Sequence, residues 1–184
     1  TSMSRKSDSQ LFITEVNWPL KGMGEWAPAQ GDCMVDERAQ AAYLVRYYLM
    51  MIASGKVEKC YWHQLVAPGY GLVNNLDGKI KKSDAYFCFK FMIEVLSGGL
   101  TRKFLQEKNI YCLVIEKENT IIEAIWSSNK NSYYKSKPCQ QIFDIRGKAL
   151  VTENSPTIEI TGEVIFIKKQ KNQPRKRKNK KKEE

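Results

Sequence analysis

The stretch Leu11-Phe12-Ile13-Thr14-Glu15-Val16-Asn17-Trp18-Pro19 constrains this chain more than any other. Three consecutive apolar residues predict a strand over Leu11 to Glu15 that is covered on both faces, as in a parallel sheet. An antiparallel sheet with one wet face would show strict alternation instead. Pro19 has no N–H to give a ladder and ends the run. In a closed parallel barrel the carboxyl ends of the strands carry the chemistry, so Glu15 is a candidate catalytic group. The plain alternative is a strand-end glutamate facing water.

The residues after Pro19 repeat the theme. Lys21 to Val35 is a long loop rich in Gly, Pro and Asp that carries Trp26, and long loops in compact domains are often functional. Asp36 is placed to cap a helix with Glu37 in its first turn; Ala42, Val45, Leu49 and Ile52 recur at helical spacing until Gly55. A second strand, Val57 to Leu65, contains Tyr61-Trp62-His63 near its end. Ser83 then caps a helix whose stripe is Tyr86, Phe89, Ile93 and Leu96, and Gly98-Gly99 stops it. Strand, helix, strand, helix is the habit of α/β units with parallel strands. Two such units cannot close a sheet.

From Arg102 the pattern changes to short β-prone segments: Ile110 to Ile115, Thr120 to Trp126, Gln141 to Ile145, Thr157 to Ile160 and Val164 to Ile167. Turn signals separate them, which predicts a small antiparallel β-sandwich built from hairpins. The predicted organisation is therefore α/β plus all-β, with units at 1–100 and 101–168 and a disordered basic tail at 169–184.

Charge sharpens this. Lys168 to Glu184 holds ten basic and two acidic residues and so carries +8 of the formal +10, leaving the rest of the chain close to neutral. A tail with dense like charge and no apolar residue from Pro174 onward is expected to stay disordered. The five cysteines, Cys33, Cys60, Cys88, Cys112 and Cys139, form no Cys-x-x-Cys pair, and His63 is the one histidine. A zinc site is not expected, nor any cofactor; free buried thiols in a reducing, cytoplasmic compartment are. The first ten residues are polar and unlike a signal peptide, and no apolar run approaches membrane-spanning length.

Phe12-Ile13-Thr14-Glu15 followed by Tyr61-Trp62-His63, then Asp144-Ile145-Arg146-Gly147-Lys148 and Ile158-Glu159-Ile160-Thr161-Gly162-Glu163-Val164-Ile165-Phe166, resembles the end of a clan A retaining glycoside hydrolase. The resemblance covers about residues 9 to 168. It implies the last two β/α units of a TIM barrel, strands seven and eight, followed by the accessory sheet. Many relatives have a proline and a tyrosine in the last strand where this chain has Val164 and Phe166.

The resemblance further implies Glu15 as the nucleophile at the tip of strand seven and Trp62 as the aromatic floor of the sugar site at the tip of strand eight. An indole suits that role by offering a flat apolar face to a sugar ring and an N–H to its edge. His63 and Trp26 are further substrate-binding candidates, and Trp18 could line the same groove. A satisfied histidine and aromatics covering a barrel rim are the bland readings. The family's acid/base comes from strand four, which this chain does not contain. A carbohydrate substrate is the implied ligand, and a missing N-terminal barrel half or a partner chain is the implied companion. The competing reading is a non-enzymatic β module whose basic tail grips nucleic acid or an anionic surface nonspecifically. The tail lacks interleaved aromatics for base stacking, which weighs against sequence-specific binding.

Overall fold

The structure, a computed structural model, describes residues 10–23, 33–129, 132–135, 141–150 and 157–171. Strand β1 (Leu11–Val16) is followed by helix α1 (Glu37–Ser54) and strand β2 (Val57–Trp62), and β1 and β2 pair in parallel. A short antiparallel ladder of β3 (Val73–Asn74) and β4 (Lys81–Lys82) leads into helix α2 (Asp84–Leu96).

Both helices start where local chemistry says they should. The Asp36 carboxylate accepts from the Ala39 N–H at 2.7 Å, and Gly55 closes α1 in the left-handed region, its N–H donating to the Ile52 carbonyl. Ser83 caps α2 in the same manner, accepting from the Tyr86 N–H at 3.3 Å while its own hydroxyl donates to the Leu72 carbonyl at 2.8 Å.

The second half is antiparallel. Strands β5 (Leu100–Glu107), β6 (Ile110–Glu116), β7 (Thr120–Ser127), β9 (Gln141–Phe143) and β11 (Ile165–Gln170) form one sheet in the order β5-β6-β7-β11-β9. Strands β8 (Ser132–Lys135) and β10 (Thr157–Ile160) form a separate two-stranded ladder.

One face of the large sheet, through Leu113, Ile115, Ile122, Ala124, Trp126 and Phe166, shares a single core with Leu44, Val45 and Leu49 of α1 and Cys88 and Met92 of α2. The other face packs Ile125, Ile142, Ile165 and Ile167 against Ile160 of the two-stranded ladder. The helices are thus held between the parallel pair and the antiparallel sheet. The turn Asp144 to Lys148 fastens the sheet to α2. Arg146 reaches Asp84 at 3.2 Å, and the Phe91 ring meets those of Phe143 and Phe166 at centroid distances of 5.8 and 5.4 Å.

Three expectations change. The parallel pair is not covered on both faces: Leu11 is 50%, Phe12 43% and Tyr61 52% exposed. Among the described residues only the face turned to α1 is covered, as when the Tyr48 hydroxyl donates to the Cys60 carbonyl. The basic tail does not begin at Lys169, because β11 runs on to Gln170. Lys169 pairs with Glu123, and Lys171 with Glu116 at 2.5 Å, so opposite charges on neighbouring strands carry the ladder past the apolar residues. The tail beyond Lys171, including Pro174 to Glu184, lies outside the described residues. The cysteines are free, but Cys33 is exposed and only Cys88 is fully buried; Cys139 lies outside the described residues.

Candidate active site

The carboxyl ends of β1 and β2 lie side by side, and Val16 is the register partner of Trp62. Between the pairs Ile13↔Cys60 and Val16↔Trp62, two residues of β1, Thr14 and Glu15, oppose the single residue Tyr61. This is a bulge, a device that re-aims a side chain at a strand end. It leaves Glu15 beside the exposed face that also carries Phe12 and Tyr61, with its side chain 71% exposed. His63 continues the path of β2: its N–H donates to the Val16 carbonyl at 3.1 Å, and its Nδ1 stands 3.8 Å from Glu15 Oε1. Strand tip, bulge and main-chain bond together bring Glu15 and His63 to one place.

The loop after β2 braces the other side. Gly71 is forced there by packing, since a Cβ would lie 2.4 Å from the Ala67 nitrogen and 2.8 Å from the Val73 carbonyl oxygen. That tight path presents the Tyr70 carbonyl to two donors, Asn17 Nδ2 at 2.8 Å and Trp62 Nε1 at 3.2 Å. The Tyr70 ring stacks on His63 with centroids 5.6 Å apart and planes 9° from parallel. The indole N–H of Trp62 is therefore spent on holding the loop. That bond stands against the expectation that the N–H meets the edge of a sugar, and the half-buried ring packs against the core shared by the helices and the sheet.

Trp18 sits 6.1 Å from Trp62 and packs edge-on against Tyr43 and Tyr47 of α1 at 5.4 and 5.7 Å. Its carbonyl accepts from Gln40 Nε2 at 2.8 Å, so it joins the strand tip to the helix. Trp26 lies outside the described residues. Asn17 and Tyr70 were not singled out from the sequence. Tyr70 acts through a backbone carbonyl, which no side-chain pattern reveals, although an aromatic set between Gly69 and Gly71 marks a tight loop. Two amide oxygens, Asn17 Oδ1 and Gln40 Oε1, are buried without a hydrogen-bond partner among the described residues. Among the described residues no group of three or more His, Cys, Asp and Glu is placed to hold a metal ion, and no helix is long and apolar enough to cross a membrane.

The tip thus offers a solvated carboxylate, a neighbouring imidazole and a fixed indole. No protein-family model matches the chain, and neither does any curated protein. Solved structures do match. A family 39 glycoside hydrolase from the gut symbiont Bacteroides cellulosilyticus WH2 aligns with a TM-score of 0.64 and 13% identity over 86% of this chain and 33% of that one. A GH30 endoxylanase from Clostridium papyrosolvens C71 aligns with a TM-score of 0.57 and 10% identity, covering 88% of this chain and 42% of that one. A conserved exported protein from Bacteroides fragilis gives a TM-score of 0.54 at 10% identity over 88% and 39%.

The fold is similar to part of each of these structures, two of which are glycoside hydrolases. The chain spans between a third and about two fifths of the length of these structures.

Proposed function

We propose that this chain is the closing part of a retaining glycosidase. In this reading β1 and β2 are the seventh and eighth barrel strands, and the antiparallel sheet is the accessory domain behind them. The observation that carries the reading is the juxtaposition at the strand tips. Glu15 lies in a bulge at the tip of the parallel pair, with His63 3.8 Å away and Trp62 in register with the next residue, Val16. A retaining glycosidase needs one ionised carboxylate to attack the anomeric carbon and a second, about 5 Å away, to protonate the leaving oxygen. Glu15 serves as the first. The second comes from a companion segment that covers Phe12 and Tyr61, the face a further six strands would enclose.

The same companion explains a second apolar seam. Tyr43, Tyr47 and Met50 succeed one another at helical spacing along α1 and, with Trp18 and Arg46, line a shallow hollow on its outer side. A neighbouring helix of a complete barrel would fill it by ridges-into-grooves packing. In this reading the general acid belongs to strand four, outside this chain, a deficit of about a hundred- to ten-thousandfold in rate, and purified chain is expected not to turn over aryl glycosides.

The test is a separation of roles with xylo-oligosaccharides and other short glycans. In the presence of a supplied N-terminal barrel portion, Trp62→Ala is expected to weaken glycan binding with little loss of stability, while Glu15→Gln keeps binding and loses turnover. Turnover by the chain alone, or turnover untouched by Glu15→Gln, contradicts the proposal.

A further inference from the structure

On the side of the antiparallel sheet away from the helices, the described residues cover only part of the face. The β8–β10 ladder packs on Ile125, Ile142, Ile165 and Ile167, and among the described residues it does not extend over the β5–β6 half of that face. There β8 forms one wall of a trough of about 460 Å³ whose floor is Leu105, Ile110, Cys112, Val114 and Ile125. That volume falls in the range of small-molecule sites, about 300 to 1,000 Å³.

The chemistry of the trough is specific. Its floor is aliphatic, and Cys112 belongs to it as an apolar group, because burial and the neighbouring Glu123 push its thiol up to about 12. Glu123 lines the trough beside Cys112. Both its oxygens are engaged, one by Lys169 and the other by the Tyr134 hydroxyl at 2.8 Å. An anion entering the trough therefore meets a neutralised pair. The described lining residues also include Lys108 and Lys135, with Glu107 as the remaining carboxylate. Neither lysine enters an ion pair among the described residues. Tyr133, 60% exposed, adds an aromatic edge.

We propose that this trough is a binding site for a small monoanionic amphiphile, an alkyl or aryl carboxylate whose apolar body lies on the Ile110–Val114 floor and whose head meets Lys108 and Lys135. Charge complementarity selects this occupant. A neutral chain gains nothing from the lysines, and a cationic one is repelled by them. The site lies on the face of the sheet turned away from the helices, so it stands or falls independently of the glycosidase reading.

The experiment uses the full chain with methyl-labelled Ile, Leu and Val, titrated with octanoate and with octanol as its neutral counterpart. Octanoate is expected to shift the methyl resonances of Leu105, Ile110, Val114 and Ile125. Affinity should rise up to about fourfold per added methylene from hexanoate to octanoate. The double variant Lys108→Gln/Lys135→Gln, which removes only surface charge, is expected to weaken octanoate about three- to tenfold and leave octanol unchanged. Val114→Trp, which fills the floor, should abolish the shifts at the other three residues. The proposal is overturned if octanoate leaves these methyls unmoved up to its solubility limit, as when a polypeptide segment already covers the floor. It is equally overturned if the shifts appear only around Phe12 and Tyr61, or if octanol binds as tightly as octanoate.

Discussion

Gly147 tests how the antiparallel sheet is fastened to the helices. It sits at φ +86°, and a Cβ built there would lie 2.5 Å from Cδ2 of Phe91 and 2.8 Å from its Cγ. Gly55 is its control: φ is +60°, and nothing lies within 4 Å of the corresponding position. Placing an alanine at positive φ costs about 1–2 kcal/mol, and the lost freedom of the unfolded chain returns about 0.4–1 kcal/mol. Gly55→Ala should therefore destabilise by about 1 kcal/mol. Gly147→Ala bears the same term plus an overpacking cost of about 1–3 kcal/mol, because the Phe91 ring must move and is held by Phe143 and Phe166. The total is about 2–4 kcal/mol.

Urea unfolding followed by circular dichroism gives both values, provided the slopes match. A cycle with Phe91→Ala isolates the clash, since in that background Gly147→Ala should fall back to the cost seen at Gly55. If Gly147→Ala costs no more than Gly55→Ala, or costs the same with and without the Phe91 ring, the account of this junction is wrong.

The charges and thiols give two further expected outcomes. Hydrogen bonds from Lys171 and then Arg102 hold the Glu116 carboxyl below its ordinary range. Its contribution to stability is thus present above the unfolded carboxylate pKa and is lost as pH falls through the depressed folded one. Glu116→Gln should flatten that part of the acid unfolding curve, and an unchanged curve would show that the β11 end is not held this way. Burial pushes the Cys88 thiol up to about 12, so in mildly alkaline iodoacetamide exposed Cys33 should be alkylated well before Cys88. Equal rates by peptide mapping would contradict the packing of α2.

The order of elements was legible because its punctuation is local. Asp36, Gly55 and Ser83 act through their own backbone neighbourhoods, and they cap the helices as their residue types suggest. β5 was not anticipated, for a physical reason. Leu100 to Glu107 is an edge strand with Arg102, Lys103, Gln106 and Glu107 along it, and exposed edges are kept polar, which erases alternation. The exposure of Phe12 and Tyr61 was equally unreadable, because an apolar strand looks the same whether or not its covering layer is part of the chain. At the candidate site, strand-tip position suggests Glu15, Trp62 and His63, and the structure places the three near one another. The bulge at Glu15 and the Tyr70 carbonyl that fixes Trp62 were not legible, since register and main-chain bonds leave no residue signature. The continuation of β11 was hidden by Lys168, Lys169 and Lys171, which read as tail until Glu123 and Glu116 are seen opposite.

The central claim is that Glu15 is a glycosidase nucleophile, and one mass measurement addresses it. The chain, supplied with an N-terminal barrel portion, is treated with a panel of 2-deoxy-2-fluoroglycosides, digested and mapped. The account predicts a single added glycosyl group on the peptide carrying Leu11 to Val16, located at Glu15 and absent from Glu15→Gln. A glycosyl adduct on any other carboxylate would contradict it.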